Sequence, residues 1–402
     1  MTAATPVAEP STARRWVMLL VSMTAAITTT AAVNGAAFLI PQLHHRGVPL
    51  QHAGLFAAAG PLGVLLTTIA WGALIDRVGE RRVLLVSLTG AVFGLGATVA
   101  LFAVDAPLWT TALGLLVSSA MAASCNGASG RIVVGWFPPQ RRGTAMGIRQ
   151  TSQPLGIGIL SLLMPVLAQR VSLAAATAVP LVIACLSLVL VAVFIVDPPL
   201  PAPSAGPGSS PAAPPNPYRT SRFLYRIHSS SVLLQLPQTA IWTYGITWLI
   251  VGLHWAPATA GLVVTASQVC GAAGRVASGA LSDRVGSRTA PIRWIAVCAA
   301  VTVGGLACLA GTGSGWAVVV FLLASTATVA DNGLAFTAVA ERAGPFYSGR
   351  ALAIQNTGQF MLSTAAAPLL GILIGAAGFG TAFGVVALAP LLALPVIPSD
   401  RR

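Results

Sequence analysis

The phrase GALIDRVGERR, Gly72–Arg82, returns as GALSDRVGSR, Gly279–Arg288, 207 positions later. Each copy follows one long apolar run and precedes another, so two halves of the chain are laid out on one plan. The likeness continues at an offset of 206. There Ala145, Ile148, Thr151 and Gln153 meet Ala351, Ile354, Thr357 and Gln359, and Asn126-Gly127 meets Asn332-Gly333. A chain duplicated in this way is expected to build two like bundles rather than one continuous unit.

Composition decides what the bundles are made of. Hydrophobic residues make up 55% of the chain and charged residues 8%, with a mean hydropathy of +0.82; a soluble domain carries about 25% charged residues. Twelve apolar runs centre near residues 27, 63, 93, 121, 157, 185, 242, 268, 301, 328, 360 and 386. At roughly 20 residues each, they can cross about 30 Å of hydrocarbon. The first, Trp16–Ile40, is too long for the apolar core of a signal peptide and reads as a spanning helix. The expected fold class is therefore an all-α membrane protein, twelve transmembrane helices in two pseudo-symmetric six-helix bundles. Residues 197–222 hold nine Pro with Gly and Ser and no apolar period. They are expected to be a linker between an N-terminal half, 1–196, and a C-terminal half, 223–402.

A net charge of +13 would suggest nucleic acid as a partner for a soluble protein. Its placement argues against that here. All 22 cations are Arg, and 17 fall in the two tails and in the connections after even-numbered runs, against Arg46 and Arg170 on the other side. This asymmetry predicts both termini and the linker in the cytoplasm, and a multi-pass protein of the plasma (inner) membrane. Seven of nine Trp lie near run ends, where amphipathic rings favour the headgroup layer. The five Cys lie within runs at no metal-ligand spacing and are expected to pack as small apolar residues without disulfides. His44, His45 and His52 cluster near one connection without an accompanying carboxylate or Cys, which reads as solvated histidine rather than a metal site.

Polar groups inside the runs are costly and therefore informative. Arg275 lies eight residues before Asp283, roughly 12 Å from the membrane boundary, and must face a cavity or a partner. Asp331 is the acid placed deepest, ten residues before Glu341. It can carry a proton or act as a counter-ion to Arg275. Arg131 and Arg149 lie about 9 Å inside the same boundary. They can snorkel to headgroups or line a cationic approach. Asn34, Asn126 and Asn332 each precede a Gly, and Gln268 lies two turns from Arg275 on one face. Trp242, Tyr244 and Trp248 cluster in the seventh run and can pack or wall an apolar ligand.

The repeated loop resembles the signature G-x-L-x-D-R-x-G-x-R-R of the major facilitator superfamily, satisfied by Gly72, Leu74, Asp76, Arg77, Gly79, Arg81 and Arg82, and the resemblance runs over nearly the whole chain. GWFPPQRRGTAMGI, Gly135–Ile148, is similar to the fourth-to-fifth helix junction of oxalate/formate and monocarboxylate porters. The proton-driven drug exporters' Gly/Pro-rich motif is poorly matched in Arg149–Gly156. The resemblance implies a central cavity lined by helices 1, 4, 7 and 10. It also implies that Arg275 contacts a substrate anion, and that Asp76, Arg77, Arg81, Asp283 and Arg284 take part in gating. The substrate-binding candidates are then Arg275, Asp331, Asn34, Asn126, Asn332, Gln268, Tyr244, Trp248, Arg131 and Arg149. The expected function is secondary active transport of a small, monocarboxylate-like organic anion by alternating access, by proton symport or exchange. The alternatives are proton-driven export of an amphipathic drug or metabolite, and a non-transporting sensor or assembly subunit. No nucleotide-binding loop, catalytic triad or metal constellation emerges, so neither an enzyme nor a cofactor is expected. The expected partners are substrate, lipid and a coupling proton, with no nucleic acid, and the chain is expected to be monomeric.

Overall fold

Ser11 opens the first helix by accepting the Arg14 backbone N–H at 3.3 Å. In the computed structural model, residues 11–137, 145, 148–197 and 216–399 are described; the side chains at 76, 126, 133–135, 220, 345, 346, 348 and 349 are not. The signature residue Asp76 and the candidate Asn126 therefore have no described side chain. Most of the Gly135–Ile148 junction and of the linker also lies outside the described residues.

The N-terminal half contains α1 (Thr12–Asn34), α2 (Leu50–Val78), α3 (Glu80–Ala103), α4 (Leu108–Trp136), α5 (Ser152–Arg170) and α6 (Leu173–Phe194). The C-terminal half contains α7 (Phe223–Thr247), α8 (Pro257–Val285), α9 (Thr289–Leu309), α10 (Trp316–Gly344), α11 (345–377) and α12 (379–393). Gly344 and Gly378, at φ 71° and 80°, make the turns that separate the last three. α7 and α8 are the spans with the most polar sequence. They carry Arg226, His228, Gln235 and Gln238, and Gln268, Arg275 and Asp283.

Helices 1 and 7 both lose α geometry toward the end remote from the termini. α1 tightens into a 3₁₀ stretch, Gly35–Leu39, before resuming as Ile40–His45; α7 widens into a π turn, Trp248–Gly252. The first apolar run is thus one span with a local change of pitch. Asp331 likewise sits at a one-residue irregularity within α10, between Ala330 and Asn332.

The outer surface is apolar, with Leu66, Ile69, Phe93, Val182 and Val276 all more than 60% exposed. Such a surface is stable against lipid tails rather than water. Cys185, Cys270, Cys298 and Cys308 are free and exposed on that surface; only Cys125 packs inside. Lipid solvates a thiol as it does a small alkyl group, so four of the five contribute no internal packing.

The interior divides unevenly along the membrane normal. At the end remote from the termini, one apolar cluster joins both halves, running through Phe38, Ile40, Phe56, Tyr244, Trp248 and Phe383. At the end carrying the termini and most of the Arg, the clusters are separate. Met18, Leu84, Leu88 and Ile132 belong to one half, and Leu224, Ile227, Ile292 and Val339 to the other. The halves are therefore sealed together at the remote end and packed independently at the arginine-rich end.

Candidate functional site

The seal consists of backbone brought against backbone. Between α5 and α8, Ser161 Oγ lies 2.9 Å from Thr265 Oγ1 and donates to Gly261 O at 3.3 Å, and Thr265 Oγ1 donates to Gly158 O at 3.3 Å. Between α2 and α11, a methyl group at Gly371 would lie 2.5 Å from Leu50 O and 2.6 Å from Tyr244 Oη. Tyr244 Oη donates to Ala367 O at 2.6 Å, and Trp248 Nε1 donates to Ala310 O at 3.0 Å. Both rings are fully buried. Of the two aromatic candidates, then, neither is among the residues lining the cavities below; both pack the seal.

Immediately on the arginine-rich side of the seal lie two adjoining cavities. The upper is lined by Asn34, Phe38 and Ile157 from one half and by Trp242, Val264, Ser267, Gln268 and Phe321 from the other. The lower is lined by Pro154 facing Ser267, Gln268, Gly271, Ala272, Arg275, Ser325 and Val329. Ser267, Gln268, Gly271 and Arg275 are spaced to share one face of α8. Each cavity measures about 10 Å³, room for one water, so a larger ligand must part the helices around it.

Arg275 is the charged residue in this lining. Its Nε donates to Val329 O at 3.3 Å, and its terminal nitrogens have no partner among the described residues. Asp331, 3% exposed, lies within electrostatic reach of Arg275 but forms no salt bridge with it among the described residues. Asn34 Nδ2 donates to Thr30 O at 3.0 Å and still reaches the upper cavity. Asn332 lies deeper in the second half, donating to Gln238 Oε1 at 2.9 Å. The sequence pattern gave no hint of Gln238, because glutamine in a polar helix carries no signal until its partner is known.

The other two arginines are held within the first half. Arg149 is buried, with Nε on Ser129 Oγ at 2.9 Å. Arg131 donates to Glu80 Oε1 at 2.7 Å, and the Glu80 side chain is only 5% exposed. Neither arginine is in the lining of the two cavities.

Both loop signatures turn at a glycine with positive φ, extended at Gly79 with ψ 166° and left-handed helical at Gly286 with ψ 24°. Gly79 and Gly286 occupy equivalent positions and have φ of 91° and 66°, a region open to glycine and strained for other residues. Beyond the first turn, the Arg81 backbone N–H donates to Asp197 Oδ1 at 2.5 Å and its guanidinium to Ala192 O at 2.9 Å, tying the loop to the end of α6. Beyond the second, Arg288 bridges Asp283 Oδ1 at 2.6 Å and Glu341 Oε1 at 3.2 Å. Those two carboxylates hold the Arg288 guanidinium above its ordinary value. Arg77 and Arg284 are exposed. Each of these ties lies within one half, in keeping with the separate packing there. Among the described residues, no atom lies within 4 Å of where a methyl group would sit on Gly72 or Gly279. At this end Gly72 therefore supports no close helix contact in this state.

Two helical bundles sealed at one end, with a polar site just beyond the seal, define a membrane transporter. The chain belongs to the Major Facilitator Superfamily, whose sequence model matches residues 18–368. An uncharacterized MFS-type transporter of Mycobacterium tuberculosis is 44% identical over 385 residues, 96% of this chain and 85% of that protein. A probable anion transporter 4, chloroplastic, of Arabidopsis thaliana is 27% identical over 155 residues, 38% of this chain and 28% of that protein. Among solved structures, a D-xylose–proton symporter superposes with a TM-score of 0.75 at 13% identity, covering 96% of this chain and 98% of that one. A bacterial homolog of the human lysosomal transporter Spinster, inward-facing and occupied, gives 0.76 at 12% identity over 96% and 97%. These two share the fold. The family consists of transporters rather than enzymes.

Proposed function

We propose that the chain is a secondary active carrier of small organic anions, monocarboxylate-like, working by alternating access. The single observation that carries this reading is the Arg275 guanidinium, which lines the gap between the halves with its fork unpaired among the described residues. Burying such a group in a membrane costs at least about 2.5–3.5 kcal/mol. A planar fork is the geometry that takes a carboxylate through two parallel hydrogen bonds. The anion transporter of Arabidopsis named above agrees in kind over the stretch it shares.

Asp331 is assigned the coupling proton, since it is buried one helix away and near enough to sense the charge state of the Arg275 site. The positive-inside rule places the arginine-rich end in the cytoplasm of a cell bounded by the inner membrane. On that assignment the halves divide at 197–222, and the carrier is sealed outside and split inside. In the opposite state the signature loops approach each other, and bare Gly72 and Gly279 leave room for that approach. Asp76, Arg77, Arg81, Asp283 and Arg284 are then the gating set. The apolar wall of the upper cavity favours one further reading, export of an amphipathic drug or metabolite.

A thermal-shift screen of purified protein against carboxylates and lipophilic cations separates the two. Flux of the stabilising compound is then measured in proteoliposomes under an imposed pH gradient. Carboxylates should stabilise, Arg275→Lys should weaken binding at least tenfold although it keeps the charge, and Asp331→Asn should flatten the pH dependence of flux. Full affinity in Arg275→Gln would sink the anion reading, and selective stabilisation by cations would establish the exporter. Binding without flux would leave a sensor.

A further inference from the structure

The two cavities meet at Ser267 and Gln268, and the lining of each includes one residue with an unsatisfied polar atom. Trp242 lines the upper cavity, and its indole N–H is buried without a partner among the described residues. Ser325 lines the lower cavity beside Arg275, and its hydroxyl is likewise buried without a partner among the described residues. This is not the general condition of the interior: Trp71 Nε1 donates to Ala120 O at 2.7 Å, and Trp248 Nε1 and Tyr244 Oη are likewise satisfied. Buried donors are satisfied almost without exception in folded proteins. Among the described residues Thr247 Oγ1 is also buried without a partner, outside the lining of both cavities; the other two lie on adjoining cavities beside Arg275 and mark groups available to a ligand. Phe38, Ile157, Ile246 and Phe321 give the upper cavity an apolar wall, with the shared Ser267 and Gln268 as polar groups where the cavities meet. Gln268 precedes Arg275 by seven residues, so the line from the upper cavity to the guanidinium runs roughly 10 Å along α8.

Building on the anion reading above, we infer that the preferred substrates are monocarboxylates with an apolar body, whose far end, roughly 10 Å from the carboxylate, carries one hydrogen-bond acceptor. Arg275 and the Ser325 hydroxyl donate to the carboxylate. Phe38, Ile157 and Phe321 cover the body. The Trp242 N–H donates to the distal acceptor. Trp242 is thus a specificity-determining residue, while the charge of Arg275 selects for anions as a class.

The full-length protein in lipid nanodiscs is titrated calorimetrically with phenylbutyrate, para-methoxyphenylbutyrate and phenylbutylamine. The methoxy acid should bind about tenfold more tightly than phenylbutyrate, the worth of one well-formed hydrogen bond. Trp242→Phe should erase that preference while changing phenylbutyrate affinity less than about threefold, and Ser325→Ala should weaken both acids alike. Equal binding of the two acids to the unmodified protein would overturn the inference and leave the anion reading intact, as would a methoxy preference that survives in Trp242→Phe. Amine binding in preference to both acids, or no acid binding at all, would overturn the anion reading and the inference with it. If Trp242→Phe fails to fold, the comparison of the two acids on the unmodified protein decides alone.

Discussion

Glu80 and Arg131 show how a single pair changes the meaning of a charge. In the sequence Arg131 reads as a cation near the headgroups, free to snorkel or to line an approach; in the fold its Nε donates to a carboxylate that is 5% exposed. The C-terminal half makes the corresponding tie with the signs reversed, Arg288 on the loop meeting Glu341 on α10. The two ties differ in burial, and burial sets their worth. Arg288 and Glu341 are 31% and 55% exposed, so water screens them and their loss should be nearly silent in stability. Glu80→Gln leaves Arg131, itself 41% exposed, facing a neutral group at the buried end of the pair. It should destabilise the protein by roughly 1–3 kcal/mol, read as a fall in the thermal midpoint in detergent. The double variant with Arg131→Gln should recover part of the loss, and a double variant no better than the single would show that the pair is not its source. Arg131 could not be assigned from sequence, because its partner lies 51 residues away on another helix.

At the scale of elements, the seal depends on helices coming closer than side chains allow. Gly371 on α11 sits where any side chain would strike Leu50 O and the Tyr244 hydroxyl. Tyr244 in turn is fixed by its bond to Ala367 O. Overpacking of a tight contact costs typically 1–3 kcal/mol. The clash with Leu50 falls only on the state in which α2 and α11 touch, whereas the one with Tyr244 lies within the C-terminal half and is met by a small shift of the hydroxyl in either state. Gly371→Ala should therefore shift the population about tenfold or more toward the state open at this end, without unfolding either half. Distance distributions between spin labels across α2 and α11, on the remote end, measure this directly; a distribution identical to that of the unmodified protein would refute it. The helical membrane fold was legible beforehand, because a long apolar run is a local property; α7 and α8 are the helices whose composition falls short of that of the other spans. The change of pitch in α1 and α7 was not legible, since Gly35, Pro41 and Gly252 stand at its edges but such residues also occur within unbroken helices, as Pro61 does in α2.

For the whole molecule, the two halves and the charge asymmetry make one further prediction. A cysteine at Ser209 in a cysteine-free background should be protected from an impermeant maleimide in intact cells and labelled after lysis, because the arginine-rich connections remain on the cytoplasmic side. Labelling in intact cells would invert the topology and, with it, the direction in which the seal faces. The duplicated phrase, the spans and the arginine bias are all properties of chain segments. Each is governed by transfer from water to lipid of residues adjacent in sequence, so the helical membrane fold and its internal repeat follow from the order of residues alone. Which polar groups meet is governed instead by the rotation and tilt of each helix against others far away in the chain. Only the tertiary structure placed Tyr244 and Trp248 in the seal, paired Arg131 with Glu80, and left the fork of Arg275 open beside Ser325. The seal at one end and the split at the other belong to that level too, because they depend on how two independently packed bundles lean together, and one sequence must support both ways of leaning.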